Sequence, residues 1–161
     1  MANMTRRTAI GASAGAAGLV GLAQAAEPNS NVRTMAMDRH IERYEPSPSL
    51  PGVPLISYAV VHRDIVYLSG ITASSTKSGD VKDQTRQIVA RIDALLAEAG
   101  SNKSKLLTAQ VWLTDMSLFA AHNDAWNEWV DPRNPPARAC LLSTQLWHPG
   151  LLVEIMATAA I

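Results

Sequence analysis

The chain is short of cysteine, of net charge and of any long run of one sign. Among its 161 residues Cys140 is the sole cysteine, which excludes an intrachain disulfide and a cysteine-rich metal site. Lysine and arginine together number 14, as do aspartate and glutamate, so the formal net charge is zero. That balance argues against a nucleic-acid binder, whose affinity comes largely from clustered lysine and arginine. The four histidines, His40, His62, His122 and His148, lack the close pairing of a metal site and are read as surface or helix histidines. What is present is enough length for one domain with a real core.

The first 26 residues read as an export signal rather than as part of the fold. Arg6-Arg7 gives a short basic start, residues 10–25 are a mild Ala/Gly/Leu/Val stretch, and Ala23-Gln24-Ala25 is a small-x-small cleavage pattern. The paired arginines favour the twin-arginine route, which carries folded proteins, and place the mature protein in the periplasm. The alternative is an uncleaved anchor, since the stretch has about the length of a short membrane span. After signal removal no stable membrane association is expected. Residues 27–38 are polar and aperiodic, a linker, and the domain occupies 39–161.

Within the domain, the alternation from Arg39 to Tyr44 suits a half-buried strand. Three prolines and a glycine make residues 47–54 a loop. Residues 56–62 and 65–70, separated by Arg63-Asp64, predict a hairpin. Residues 74–79 form a second loop. Asp80 is placed to cap a helix, whose apolar face is Ile88, Val89, Ile92, Leu95, Leu96 and Ala99 and which ends at Gly100. A strand over 106–114 follows. Next comes a helix capped by Asp115 or Ser117 and running to about Val130, with Phe119, Trp126 and Val130 on one face. Strands over 139–142 and 151–160 close the chain. The order β-β-β-α-β-α-β-β is that of an α+β domain. Two helices cover one face of such a sheet, and the uncovered face predicts an oligomer.

Two side chains interrupt this pattern. The segment Asn134-Pro-Pro-Ala-Arg138-Ala-Cys140 sets an arginine at the mouth of a strand taken to be buried. A buried arginine is costly unless an anion meets it, and its planar fork suits a bidentate carboxylate. The alternative is an arginine paired with an internal acid for structure alone. Glu154 lies inside the last apolar run. Together they point to a site with one anion-binding cation and one acid–base group.

From about Ser57 onward the chain resembles the RidA/YjgF-type reactive-intermediate deaminases. The resemblance is carried by Val66-Tyr67-Leu68-Ser69-Gly70, by Gln84 and Arg86-Gln87, and by Ala97-Glu98-Ala99-Gly100. It continues through residues 111–115, Phe119, Asn123, Pro136-Ala137-Arg138-Ala139-Cys140, Val153-Glu154-Ile155 and Ala157. The tyrosine that many members carry before the first hairpin strand corresponds to Ile56 here; Tyr58, two residues on, should share its strand face. The glutamine frequent after Ser-Gly is Ile71. The resemblance implies a single-domain mixed sheet with two helices on one face, like the trimeric chorismate mutases. It also implies a homotrimer with ligand clefts between subunits; no cofactor or metal is expected, because a protonated imine is already a strong electrophile. Arg138 would grip the substrate carboxylate and Glu154 would position or activate water. Ser69, Gly70 and Cys140 would line the cleft, with Asn123 nearby and Tyr58 as substitute for the missing tyrosine. The implied reaction is hydrolysis of small 2-imino or enamine carboxylic acids, such as 2-iminopropanoate and 2-iminobutanoate, to 2-oxo acids and ammonia.

The chemistry of the residues agrees with that reaction. A carboxylate held by Arg138 fixes the neighbouring C=N carbon relative to a water that Glu154 can deprotonate. Cys140 is read as a small buried residue rather than a nucleophile, since no histidine stands in a Cys–His arrangement. The competing readings are a non-catalytic small-carboxylate binder, which would not need Glu154 facing the pocket, and the ribonuclease activity ascribed to the family. Zero net charge and the lack of a basic run or a catalytic histidine pair count against the latter.

Overall fold

The computed structural model describes residues 40–76 and 80–161. The export signal, the linker and Arg39 lie outside the described residues. Strands β1 (Ile41–Pro46), β2 (Ser57–His62), β3 (Ile65–Leu68) and β4 (Ile71–Thr72) precede helix α1 (Val81–Glu98). Strand β5 (Leu106–Leu113), helix α2 (Phe119–Trp129) and strands β6 (Ala137–Leu142) and β7 (Val153–Ala160) follow. The seven strands form one mixed sheet in the order β1-β2-β3-β7-β5-β6, with β4 also paired to β7. All pairs are antiparallel except β5 with β6, which are parallel and joined through α2. That connection is the crossover a parallel pair requires.

Strand alternation sorts the side chains onto two faces. Ala59, Val61, Val66, Leu68, Val111, Val153, Ile155 and Ala157 are buried and cluster with Ile88, Ile92, Leu95 and Leu96 of α1 and with Trp126 and Trp129 of α2. The helical spacing in α1 thus marks the face that meets the sheet. Asp80 caps it, accepting from the Lys82 N–H. The other sheet face carries Tyr67, Thr108, Gln110, Met156 and Thr158 around a shallow concavity. Tyr67 there is 44% exposed, so no further layer of the described residues covers it.

Several expectations need correction. The hairpin strand stops at Leu68; Ser69 and Gly70 break it, and Ile71 and Thr72 resume pairing with β7 at Ile155 and Glu154. Strand β1 is largely exposed rather than half-buried, because it is the sheet's edge. Asp115 caps a single 3₁₀ turn (Met116–Leu118), accepting from Ser117 N, and α2 starts only at Phe119. Phe119 itself is 40% exposed, and the buried face of α2 is His122, Ala125, Trp126 and Trp129. Strand β6 begins at Ala137, so Arg138 lies within it. It is the opposite edge strand, with Leu141 and Leu142 exposed, rather than a buried one.

Candidate functional site

Arg138 is positioned by strand register. It pairs with Ala109 and Cys140 with Val111, both buried on the helix side of β5. Neighbours across a ladder share a face, so Arg138 and Cys140 point under α2. There the guanidinium meets three neutral groups. Nη1 donates to Asn123 Oδ1 at 3.0 Å, Nη2 donates to His122 Nε2 at 2.6 Å, and the Trp126 ring centroid lies 4.9 Å from Cζ. Among the described residues no carboxylate lies within ion-pair distance, so the structural pairing with an internal acid is absent. Burial lowers the guanidinium's pKa, with the nearby Cys140 opposing, yet an arginine remains cationic near neutrality. The half-buried Cys140 thiol is pushed up from its ordinary value, first by burial, which leaves less thiolate for nucleophilic work.

Glu154 faces the other way. Its ladder neighbours are Trp112 on β5 and Thr72 on β4, and Trp112 alternates with the core residues Val111 and Leu113. Within one chain Arg138 and Glu154 therefore occupy opposite faces of the sheet, two strands apart. Glu154 lines a cleft of about 890 Å³ together with Ile56, Tyr58, Ser69, Gly70, Arg91 and Trp147. The break between β3 and β4 opens this cleft beside β7. A Cβ on Gly70 would fall 1.9 Å from Glu154 Oε1, so only glycine leaves the carboxylate in place. Burial raises the Glu154 pKa from its ordinary value. Tyr58 packs beside the Arg91 guanidinium, 5.5 Å from its ring centroid, and Arg91 is paired with Glu45.

The loops around the cleft are fastened by α1. Buried Gln84 donates to Gly150 O at 2.8 Å and accepts from Leu152 N at 2.9 Å, fixing the entry to β7 two residues before Glu154. Gln87 holds the backbone of Ser75 from both sides. Trp147 Nε1 donates to Thr72 Oγ1 at 3.3 Å across the cleft mouth.

The predicted residues thus fall into two groups. Tyr58, Ser69, Gly70 and Glu154 share the cleft; Arg138, Asn123 and Cys140 lie under α2. Among the described residues, the buried side-chain polar atoms without a hydrogen-bond partner are Ser69 Oγ and Arg138 Nε, one in each group. Buried polar atoms are normally paired, so each half is chemically unfinished within a single chain. Sequence reasoning missed His122, which is fully buried against Arg138. Its position one residue before Asn123 on the helix face was the available signal.

Comparison with known proteins covers both halves. The family model described as Endoribonuclease L-PSP matches residues 51–161. A RutC family protein of Haemophilus influenzae is 40% identical over 119 residues, covering 74% of this chain and 97% of that protein. The RutC family protein YoaB of Escherichia coli is 38% identical over 105 residues, 65% of this chain and 90% of its own length. Among solved structures, a YjgF family protein of Neisseria meningitidis matches with a TM-score of 0.68 at 33% identity, over 76% of this chain and 96% of that one. A YjgF/YER057c/UK114 family member of Mycobacterium tuberculosis matches with a TM-score of 0.66 at 26% identity, over 76% of this chain and 100% of that one.

Proposed function

The chain belongs to the RidA/YjgF family, the family of the Endoribonuclease L-PSP model and of the RutC proteins, and on that premise we propose that it hydrolyses small 2-imino or enamine carboxylic acids to 2-oxo acids and ammonia. The observation that carries the reading is the pair of unfinished halves: a half-buried arginine whose Nε–H has no partner among the described residues, and a cleft that sets the equally partnerless Ser69 hydroxyl in the same lining as a carboxylate of raised pKa. Arg138 binds the substrate carboxylate by charge-assisted hydrogen bonds. Glu154 takes a proton from water as it adds to the carbon of the protonated imine and passes it to the nitrogen; as the C–N bond then breaks and the hydroxyl becomes the carbonyl, the carboxylate accepts the hydroxyl proton and ammonia leaves. A carboxyl whose pKa is raised toward neutrality suits both directions of transfer.

The two halves meet only if one copy's Arg138 side faces another copy's Glu154 cleft. Such a contact joins different patches, and repeated contacts of that kind close into a ring where the rotation between copies allows. We take the ring to be a homotrimer, as the resemblance implies; light scattering showing a monomer at micromolar concentration would remove it. Residues 1–26 are proposed to direct twin-arginine export to the periplasm. Replacing Arg6 and Arg7 together with lysine should then strand the protein in the cytoplasm, and unchanged periplasmic levels would refute this.

The test of activity presents purified protein with 2-iminopropanoate generated in place by an amino-acid oxidase. Loss of the imine faster than in buffer is the expected result. Pyruvate binding without faster loss would instead identify a carboxylate-binding protein.

A further inference from the structure

The carboxylate-clamp reading of Arg138 does not require a histidine beneath it, yet one is there, fully buried and hydrogen-bonded to it. The surrounding contacts determine the form of that histidine. Thr85 has one hydroxyl proton, and its Oγ1 lies 2.7 Å from the Val81 carbonyl, an acceptor only. The proton therefore goes to Val81. The same Oγ1 lies 2.9 Å from His122 Nδ1 and offers it only a lone pair, so Nδ1 carries a hydrogen. On a neutral ring Nε2 is then unprotonated and accepts from Arg138 Nη2, which can only donate. Each member of the series has one consistent assignment.

The charged group facing His122 is Arg138 from β6, with Cys140 beyond it on the same strand. From α1 it meets the uncharged Thr85, and on its own helix Asn123 and Trp126 adjoin it. Burial first, and the Arg138 charge second, push the His122 pKa down to about 4, so the neutral ring persists at neutral pH.

We propose that His122 is a positioning residue for the anion site: locked by Thr85 with Nε2 unprotonated, it holds Arg138 Nη2 and so fixes which guanidinium N–H groups are presented to a carboxylate. An arginine has five N–H donors. Asn123 engages Nη1, His122 engages Nη2, and Nε–H is left buried without a partner. A guanidinium held at two nitrogens has little rotational freedom left to lose when an anion arrives. The inference rests on the reading of Arg138 as the carboxylate clamp and deepens it.

The experiment has two arms on the purified full chain. Two-dimensional ¹H–¹⁵N correlation of the imidazole nitrogens at neutral pH should show His122 with Nδ1 protonated and Nε2 bare; Arg138→Ala should keep that pattern, because Thr85 still accepts from Nδ1–H, and Arg138→Ala combined with Thr85→Val should abolish it. Pyruvate affinity is measured in parallel on the parent, His122→Leu, His122→Gln and Arg138→Ala. His122→Leu removes the acceptor and should weaken binding about tenfold or more, the worth of a hydrogen bond to a charged group. His122→Gln keeps an uncharged acceptor near the Nε2 position and should bind close to the parent. An Nε2-protonated ring, or a folded His122→Leu that binds like the parent while Arg138→Ala loses pyruvate, would overturn this role alone. If Arg138→Ala binds pyruvate as the parent does, the clamp reading itself falls.

Discussion

Arg138 is held by Asn123, by His122 and by the face of Trp126, whereas Glu154, on the other side of the sheet, has no hydrogen-bonding partner among the described residues and abuts Gly70. One half is partly buried and held by neighbouring side chains before any ligand arrives. The other is an open cleft of about 890 Å³ whose key carboxylate is kept in place by the lack of a side chain opposite. The difference matches the two proposed tasks. Gripping a carboxylate rewards rigidity, because a preorganised donor loses little entropy on binding. Moving a proton rewards a group that can exist in both charge states, and partial burial without a partner provides that.

The comparison is most sharply tested on the Glu154 side. Glu154→Gln keeps the shape and removes the base, so turnover should fall by about two to four decades while pyruvate affinity holds or improves. Stability should move the other way. A carboxyl whose pKa is higher in the folded state makes folding less favourable as pH rises from its ordinary value through the raised one, and the penalty is full above that. The glutamine variant should therefore melt no lower than the parent at neutral pH. A variant that keeps turnover, or one that loses it only by unfolding, removes Glu154 from the chemistry.

Next in size is the Arg138 side. Arg138→Ala leaves His122 and Asn123 facing a cavity and should cost about 2–5 kcal/mol in carboxylate binding, roughly one and a half to three and a half decades. Unlike the glutamine change, it should also lower the melting temperature, because this half is built into the core. Arg138→Lys should rescue little, since an ammonium cannot contact both Asn123 and His122 while offering a fork. Calorimetric titration with pyruvate on all three proteins, alongside melting curves, would decide it.

Gly70→Ala should sharpen the contrast by acting on one half only. The new methyl displaces the end of a flexible carboxylate rather than backbone. Folding should be nearly untouched while turnover drops by about one to two decades, the scale of an ångström-sized misplacement. Equal losses in stability and turnover would mean that Gly70 serves the chain path instead.

Much of this was legible beforehand. The apolar spacing in α1, the Asp80 cap and the Arg63-Asp64 turn are local signals, and they gave the element order. The tightest misreading concerned exposure. Leu141 and Leu142 read as a buried strand because apolar composition does not distinguish a core strand from an exposed edge strand. The break at Ser69-Gly70 was hidden because Ile71 and Thr72 continue a strand-like composition. That Arg138 and Glu154 lie on opposite faces depends on ladder register between β5, β6 and β7, which is non-local. His122 was passed over because a search for metal-like pairs asks about histidine spacing, and its partner is an arginine in another element.

The smallest expected effect concerns how β6 is delivered to the Arg138 half. Asp131 is buried in the turn after α2, where its carboxylate accepts from Ser104 Oγ at 2.7 Å, from the Arg133 N–H at 3.0 Å and from Asn134 Nδ2 at 3.0 Å. These bonds, led by Ser104, hold its pKa well below the usual carboxylate range. A carboxyl depressed in this way stabilises the fold above its unfolded pKa of about 3.9, and the contribution is lost as pH falls below that value. Asp131→Asn keeps the size, lacks the charge and replaces one acceptor oxygen by a donor. The melting temperature at neutral pH should drop by a few degrees, and the variant should lose less stability than the parent between pH 4 and pH 2, a window taken from those two directions. Because the turn leads into β6, carboxylate binding should weaken slightly in step with stability, while the Glu154 cleft keeps its geometry. If melting curves of the two proteins run parallel down to pH 2, the Asp131 cluster does not fasten the Arg138 half, and the rigidity of that half must come from α2 alone.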